Sequence, residues 1–549
     1  MKYDTKISPS EIFGEYKNGN SHKASIGDNG IFEQSKINER FFVGDQWYGA
    51  KCGNSRPLVR RNVIKRIGDY KMSTVGNDAV AVNYSVEGVV GNGKTARKAD
   101  LVRQSLMKGE YLSDAPDSAE IGIVTSAMSN YFKVTAERVK FEKKKEQLLR
   151  NAYISGTGIA YTYWDPYIRT GLYADDRKTT AICGDIAFEV LDIENVVFGD
   201  PTIDDVEKQS YIIISQKMSV IEARRQAKMF GQDTSEIKAD GGYLSSYNSE
   251  EEQKVTVLTK FFKVFDKVSK TYSVMAVRVA EDAVIRPVWD LKIKCYPIAK
   301  FTWETRKGSA YGDSEITYLI PNQIAINRAL TAQVWSALSV GMPKLLVNGD
   351  MVNESISNDP GQIIKVFAGE NGLDGAMQYV NPPTFAEQYQ TMISELASNT
   401  MIDCGANDAA LGNMRPDNAT AIIQMREAAL QPMIIYRNKF YDFMEDIARI
   451  WASFWVNMYG DRYIKVEDKN GNYYLPFKAD RYRDLFFTAR VDVGESSSWS
   501  EAVVVATLDK LLTEGLITFE QYLERLPKGL VPDSVGLRQS VKEAENDSE

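Results

Sequence analysis

One ordering of elements constrains this chain most: a long apolar helical pattern, an irregular interruption, a second helical pattern and then a third, much longer one. The first runs from Ser314 to Gly341, where Ile316, Leu319, Ile320, Ile324, Leu330, Val334 and Leu338 form a stripe at helical spacing. Between Glu315 and Lys344 its only charge is Arg328. Pro321 either kinks this helix or marks its first turn. The second pattern runs from Thr384 to Asp403, with Phe385, Tyr389, Met392, Ile393 and Leu396 on one face and Glu387, Glu395 and Asp403 elsewhere. Its exposed face is expected to be acidic. The interruption, 342–383, carries strand-like stretches at Lys344–Val347 and Gln362–Phe367 and leaves through the rigid Asn381-Pro382-Pro383. The expectation is a small β insertion standing on two helical legs.

A loop from Cys404 to Asn418 then leads into a helical pattern from Ala419 to Tyr459, ended by Gly460. At 1.5 Å per residue it would be roughly 60 Å long, and Pro432 should kink it. Its stripe resumes beyond the proline through Tyr436, Phe440, Met444, Ile447, Trp451, Phe454 and Met458. Upstream, the pattern is mainly helical from Ile31 to Arg150 and then shifts to strands: Ala160–Trp164, Ile186–Leu191, Ser210–Ser215, and a hairpin pairing Val255–Phe265 with Thr271–Val279. Downstream come a hairpin around Asn470-Gly471, a strand at Phe486–Val493, and two helices with capping boxes at Ser498/Glu501 and Thr518/Gln521. The fold class read from this sequence is α+β. Residues 1–30 show no periodicity and the last ten are acidic and polar, so both ends are expected to be mobile.

With 549 residues, 44% hydrophobic and 26% charged, the chain has the composition of an ordinary globular protein with a sizeable core. A net charge of −8 does not advertise tight binding to nucleic acid or to an anionic membrane. The single histidine, His22, removes Ser-His-Asp triads, Cys-His pairs and multi-histidine metal sites. Four cysteines, Cys52, Cys183, Cys295 and Cys404, stand far apart without a C-x-x-C pair and read as isolated thiols. The amino terminus lacks signal-peptide regions and the most apolar stretch, Ala329–Val347, is interrupted by Gln333, Pro343 and Lys344, so the expectation is a soluble, cytoplasmic protein without a membrane partner.

The sharpest motif is Gly88-Val-Val-Gly-Asn-Gly93-Lys94-Thr95, which satisfies G-x-x-x-x-G-K-[ST]. In a phosphate-binding loop the backbone N–H groups wrap the phosphates, Lys94 meets the outer ones and Thr95 holds Mg²⁺. Its context argues for a Gly-rich turn instead. The preceding Val80–Glu87 includes Asn83, Ser85 and Glu87, and no parallel βαβ series follows. Basic runs at Arg56–Lys71, with Arg60, Arg61, Lys65 and Arg66, and at Arg138–Lys145 read as solvated helix faces rather than phosphate contacts. Tyr161, Tyr163 and Trp164 read as a strand with one buried face. Asp200, Asp204 and Asp205 read as an acidic turn rather than a hydrolase pair or a cation site.

Taken together, several short motifs in order resemble the portal, or head-to-tail connector, proteins of tailed bacteriophages. They are Asn38-Glu39-Arg40-Phe41-Phe42-Val43-Gly44-Asp45-Gln46-Trp47; Gly156-Thr-Gly158 before a strand ending Tyr163-Trp164-Asp165; and Asn195-Val196-Val197-Phe198-Gly199-Asp200-Pro201. The central signature is Tyr311-Gly312-Asp313-Ser314, then Pro321-Asn322-Gln323 and Ile326-Asn327. The resemblance implies a mobile segment (1–30), a wing (31–313), a first stem helix (314–341), a clip (342–383), a second stem helix (384–403) and a tunnel loop (404–418). A long kinked wing helix (419–459), wing strands (460–497), and a crown with an acidic tail (498–549) complete it.

The implied function is structural and not enzymatic, with no cofactor and no metal: a ring of twelve subunits at one capsid vertex, through which double-stranded DNA is packaged and ejected. Its implied partners are the terminase large subunit, a head-completion adaptor or tail protein, and the scaffolding and major capsid proteins; its place is the virion, and the host cytoplasm during assembly. Asn407, Asp408, Asn413, Met414 and Arg415 would lie nearest DNA in the tunnel loop, Glu387 and Glu395 would face the channel, and Lys344, Asn348 and Asp350 of the clip would dock partners. Twelve copies at −8 carry −96, which suits a channel in which DNA must slide without phosphate friction. The alternatives are a P-loop NTPase, such as a packaging motor subunit, and another ring-forming virion protein of tail or capsid.

Overall fold

The computed structural model describes residues 8–48, 58–77, 81–86, 105–106, 111, 116–173, 181–240, 253–266, 271–341, 344–352, 356, 363, 365–367, 377–380, 387–406, 430–468, 471–492 and 501–526. The first part of the chain is mainly helical, with α1 (Pro9–Ala24), α2 (Gly30–Val43), α3 (Val63–Gly76), α4 (Ser118–Arg138) and α5 (Phe141–Ser155) among its described elements. Their starts are chemically marked. Asn62 Oδ1 accepts from Lys65 N at 2.9 Å and Asp117 Oδ1 from Glu120 N at 2.8 Å, each satisfying a donor that the first turn leaves free. α1 corrects the expectation of a mobile stretch through residue 30. Its apolar face is only Ile12, Phe13 and Tyr16, too few for periodicity to register, yet it packs on Val197, Ile213, Leu258 and Val277.

The strands are antiparallel. β2 (Thr157–Tyr173) lies between β3 (Ala181–Leu191) and β9 (Ile298–Thr302), while β4 (Val196–Phe198), β5 (Tyr211–Ser219), β6 (Lys254–Asp266), β7 (Thr271–Val279) and β8 (Val284–Asp290) form a five-stranded meander. In β7, Val274 and Ala276 face the main core and Val277 and Val279 face α1, so a continuous apolar run reports a sheet covered on both sides. α6 (Val220–Met229), capped by Ser219, lays Val220, Ala223 and Ala227 on Val255, Val257 and Ile285. β1 (Ala81–Val86) pairs antiparallel with β14 (Phe487–Asp492), and among the described residues that is its sole strand partner.

In the second half, α7 (Glu315–Gly341) leads to β10 (Lys344–Val347), which pairs antiparallel with β11 (Met377–Val380) ahead of α8 (Glu387–Asp403). Pro321 lies inside α7 and does not mark its first turn. The expected strand at Gln362–Phe367 is corrected: 365–367 carry no strand, and β10 takes its partner from just before the returning helix, so the insertion opens and closes as one ribbon. Pro432 sits in a 3₁₀ turn, Gln431–Met433, that feeds α9 (Ile434–Met458); the expected helical stretch 419–429 lies outside the described residues. α9 is the core's axis. Its buried Trp451 meets Phe132, Phe141 and Phe188 at ring-centroid distances of 4.7, 6.3 and 6.1 Å.

β12 (Asp461–Asp468) and β13 (Gly471–Lys478) form the expected hairpin, and a short α10 (Ala479–Tyr482) leads to β14. α11 (Glu501–Thr513) ends near Gly515, whose φ of +69° is open to glycine, and α12 (Phe519–Arg525) begins at a Thr518/Gln521 capping box. The fold is α+β. Among the described residues no helix is long and apolar enough to cross a membrane.

Candidate stem and its anchoring junction

α7 and α8 run back to back. Asn322 Nδ2 reaches Thr400 Oγ1 at 3.4 Å, and Cys404, just past the end of α8, lies beside Glu315 at the start of α7. The buried face of α8 is Ile393, Ala397 and Thr400; Met392, expected on that face, is exposed, because the helix turns its next position toward α7. Both charged positions that the structure describes away from the base of this pair, Arg328 and Glu395, are exposed. Glu387 begins α8 and Lys344 begins β10, although their side chains lie outside the described set. Asn348 and Asp350 sit exposed in a turn after β10, with Asp350 N donating to Asn348 Oδ1 at 3.1 Å. Asn407, Asp408, Asn413, Met414 and Arg415 lie outside the described residues, as do Gly88, Gly93, Lys94 and Thr95.

The inner face of α7 changes from apolar to polar along its length. Ile316 and Leu319 are buried near its start, then Gln323, Asn327 and Thr331 at every fourth position. These three read the backbone of the segment 59–64. Gln323 Oε1 accepts from Val63 N at 2.9 Å and Ile64 N at 3.3 Å, and its Nε2 donates to Arg61 O at 2.7 Å. Asn327 Oδ1 accepts from Arg61 N at 3.0 Å while its Nδ2 donates to Gln46 Oε1 at 2.9 Å; Thr331 Oγ1 accepts from Val59 N at 3.1 Å. Gln323 thus satisfies N–H groups that the first turn of α3 leaves free, and Asn327 and Thr331 bond the extended residues that lead into it. Gln323 and Asn327 stand in the central motif, but a bond to a segment more than 250 residues away carries no local signal. Thr331 and Gln46 were not distinguished by the sequence as a pair with it.

The other motifs meet at the base of α7. Gly312 N donates to Thr157 Oγ1 at 2.9 Å, Ser314 Oγ to Tyr153 O at 2.7 Å, and Ala310 N to Pro201 O at 2.7 Å. Asn38 Nδ2 donates to Ile154 O at 2.9 Å and Thr317 Oγ1 at 3.2 Å. Glycine is required where two backbones touch: a Cβ on Gly312 would stand 2.5 Å from Gly156 O, and one on Gly156, whose φ is +83°, 2.3 Å from Gly312 O. Asp313 is clamped by Arg306 at 2.7 Å. Four segments distant in sequence thus form one junction.

Beside it lies a buried ion pair. Lys71 Nζ is 2.5 Å from Glu315 Oε1, and both side chains are largely shielded from water. The second carboxylate oxygen, Oε2, is buried without a partner among the described residues. Burial first, then the Glu315 charge, pushes the Cys404 thiol up to about 12. Burial and the bond its hydroxyl donates to Glu304 push Tyr436 well above the ordinary phenol range. The arrangement is a protonated, inert wall around one ion pair, not a poised nucleophile.

No family model matches this chain, and no curated protein matches it. The remaining motifs resolve structurally. Asp200 Oδ1 accepts from Thr202 N at 2.9 Å, Asp205 caps the 3₁₀ turn Val206–Lys208 and Asp204 pairs with Lys300 at 2.6 Å, which is the expected acidic turn. Among the described residues no cluster of His, Cys, Asp or Glu could hold a metal ion. Arg60, Arg61, Lys65 and Arg66 are exposed as expected. The second basic run departs from its expectation in part: Lys140 and Lys143 are exposed, but Arg138 pairs with Asp185 and Lys144 donates to Phe188 O, so these two cations tie α4 and α5 to β3. Tyr161 is buried and Tyr163 donates to Glu189 Oε1 at 2.7 Å.

Proposed function

We propose that this chain is the subunit of a portal ring at one capsid vertex, a conduit for double-stranded DNA and a platform for the packaging motor and the head-tail adaptor. The observation that carries the reading is the helical pair with its ribbon. α7 and α8 project a two-stranded tip, and the single chain leaves Trp335 (41% exposed), Leu338 (46%), Met392 (47%) and Ile402 (54%) uncovered along it. Apolar surface of that extent on two packed helices favours association with further copies, and a repeated heterologous contact closes into a ring. Charge supports the channel role: between Glu315 and Lys344 the outgoing helix has Arg328 alone, and 387–403 contains acids and no cation. Such a wall repels phosphates and leaves DNA free to slide.

The remaining roles follow from this reading. Twelve subunits would surround the duplex, the turn with Asn348 and Asp350 and the strand start at Lys344 would meet the terminase large subunit and later the adaptor, and the wing would meet scaffolding and capsid proteins. The test is single-particle imaging of the purified chain without DNA or nucleotide. A closed ring with an axial channel wider than a duplex of about 20 Å is the expected result. A monomer across a wide concentration range that binds ATP, and loses it on Lys94→Ala, would replace this reading with an NTPase.

A further inference from the structure

The five-stranded meander holds a pair of like charges that no ion pair among the described residues answers. Arg278 on β7 and Arg286 on β8 are direct cross-strand partners, a placement in which like charges repel. Among the described residues no carboxylate forms an ion pair with either. Two acids that adjoin these residues bond to other groups: Glu222 pairs with Arg225 at 2.8 Å and accepts from Gln226 Nε2 at 2.9 Å, and Glu189, opposite Tyr161 on β3, accepts from the Tyr163 hydroxyl at 2.7 Å. Arg278 is held in place by neutral acceptors, Nε donating to Thr259 Oγ1 and Nη1 to Gln226 Oε1, each at 3.1 Å. Arg286 is held by stacking, its guanidinium 3.9 Å from the Trp289 ring centroid and 4.6 Å from that of Phe230. Its N–H groups have no acceptor among the described residues.

A third donor comes from β2 in the neighbouring sheet. Tyr161, 9% exposed, packs on Phe261, and its hydroxyl makes no hydrogen bond among the described residues while lying within electrostatic reach of both arginines. The Arg286 fork and the Tyr161 hydroxyl, without acceptors among the described residues, together with an Arg278 guanidinium held in place by two neutral acceptors, put donors and positive charge side by side. Stacking leaves the edge of Arg286 free for a bidentate acceptor.

We infer that Tyr161, Arg278 and Arg286 form a binding site for a phosphate group. A phosphate monoanion or dianion answers two opposed guanidiniums and offers enough oxygens for all three residues, whereas one carboxylate would leave a net positive charge and an unused donor. The site lies where β2 meets the meander, uses no residue of the α7–α8 pair, and stands whether or not the chain forms a ring.

The experiment is calorimetric titration of the full chain with inorganic phosphate, and separately with acetate, at constant pH and ionic strength. The expected result is one saturable phosphate site per chain, weakened at least tenfold by Arg286→Gln and by Arg278→Gln and several-fold by Tyr161→Phe, with acetate binding at least tenfold weaker. Arg278→Gln removes the like-charge contact together with two hydrogen bonds, and Arg286→Gln removes it together with two ring contacts, so the melting temperature of each variant is read first to establish that it folds. If either variant fails to fold, Tyr161→Phe decides, since it keeps the ring and deletes only the donor. Absence of saturable phosphate binding, equal affinity in the folded variants, or acetate binding as tightly as phosphate would each overturn the assignment.

Discussion

Lys23 is wholly buried and, among the described residues, no carboxylate is bonded to its ammonium; it donates to two backbone carbonyls, Ile193 O at 2.8 Å and Glu194 O at 3.0 Å. Burial lowers its pKa from 10.5 to about 7, with the Glu194 charge opposing the shift. Between those values the unfolded chain holds a proton that the folded chain has released, so stability rises as pH increases from about 7 to 10.5. At about 1.4 kcal/mol per unit, the shift is worth a few kcal/mol. Lys23→Met should flatten this rise, read as the difference between variant and parent in urea midpoints at neutral and alkaline pH. A parallel pair of pH profiles would show that α1 docks without a buried ammonium.

At the scale of elements, the polar face of α7 caps the first turn of α3 and holds the residues that lead into it. Replacing Gln323 by Met keeps the volume but leaves Val63 N, Ile64 N and Arg61 O buried without partners. The expected loss is about 2–4 kcal/mol, with faster hydrogen exchange at the Val63 and Ile64 amides; unchanged exchange would mean that the segment is held by other contacts. Long periodic elements were legible in the sequence for a physical reason. α7, α9 and the β6–β7 hairpin each carry enough apolar positions for their period to dominate. α1 was not legible, because Ile12, Phe13 and Tyr16 are its whole apolar face. The partner of β10 was missed since Phe367 and Met377 both lie in apolar stretches and only three-dimensional closure chooses between them. At the junction the motif residues were legible as a set, but their bonds were not: side-chain amides that read a backbone over 250 positions away obey no local pattern.

For the whole molecule, two predictions separate assembly from passage. Trp335→Ser with Leu338→Ser removes apolar surface that the single chain leaves 41% and 46% exposed, so native mass spectrometry should report loss of the ring while circular dichroism still reports a folded chain. Rings persisting in this double variant would move the subunit interface off α7. Glu387→Lys with Glu395→Lys should do the reverse, leaving the ring intact and slowing DNA packaging, because added cations bind phosphates along the channel; packaging at the parent rate would count against a channel-facing α8. The touching backbones of Gly156 and Gly312 bear on both outcomes as a matter of mechanics. α7 is a lever some 40 Å long at 1.5 Å per residue, and a tilt of about 5° at its base would carry the ribbon roughly 3.5 Å sideways. A fulcrum made of backbone against backbone contains no rotamers to yield, so the bore of any assembly built on these levers is set where the lever is pinned, far from the tip that would meet a partner.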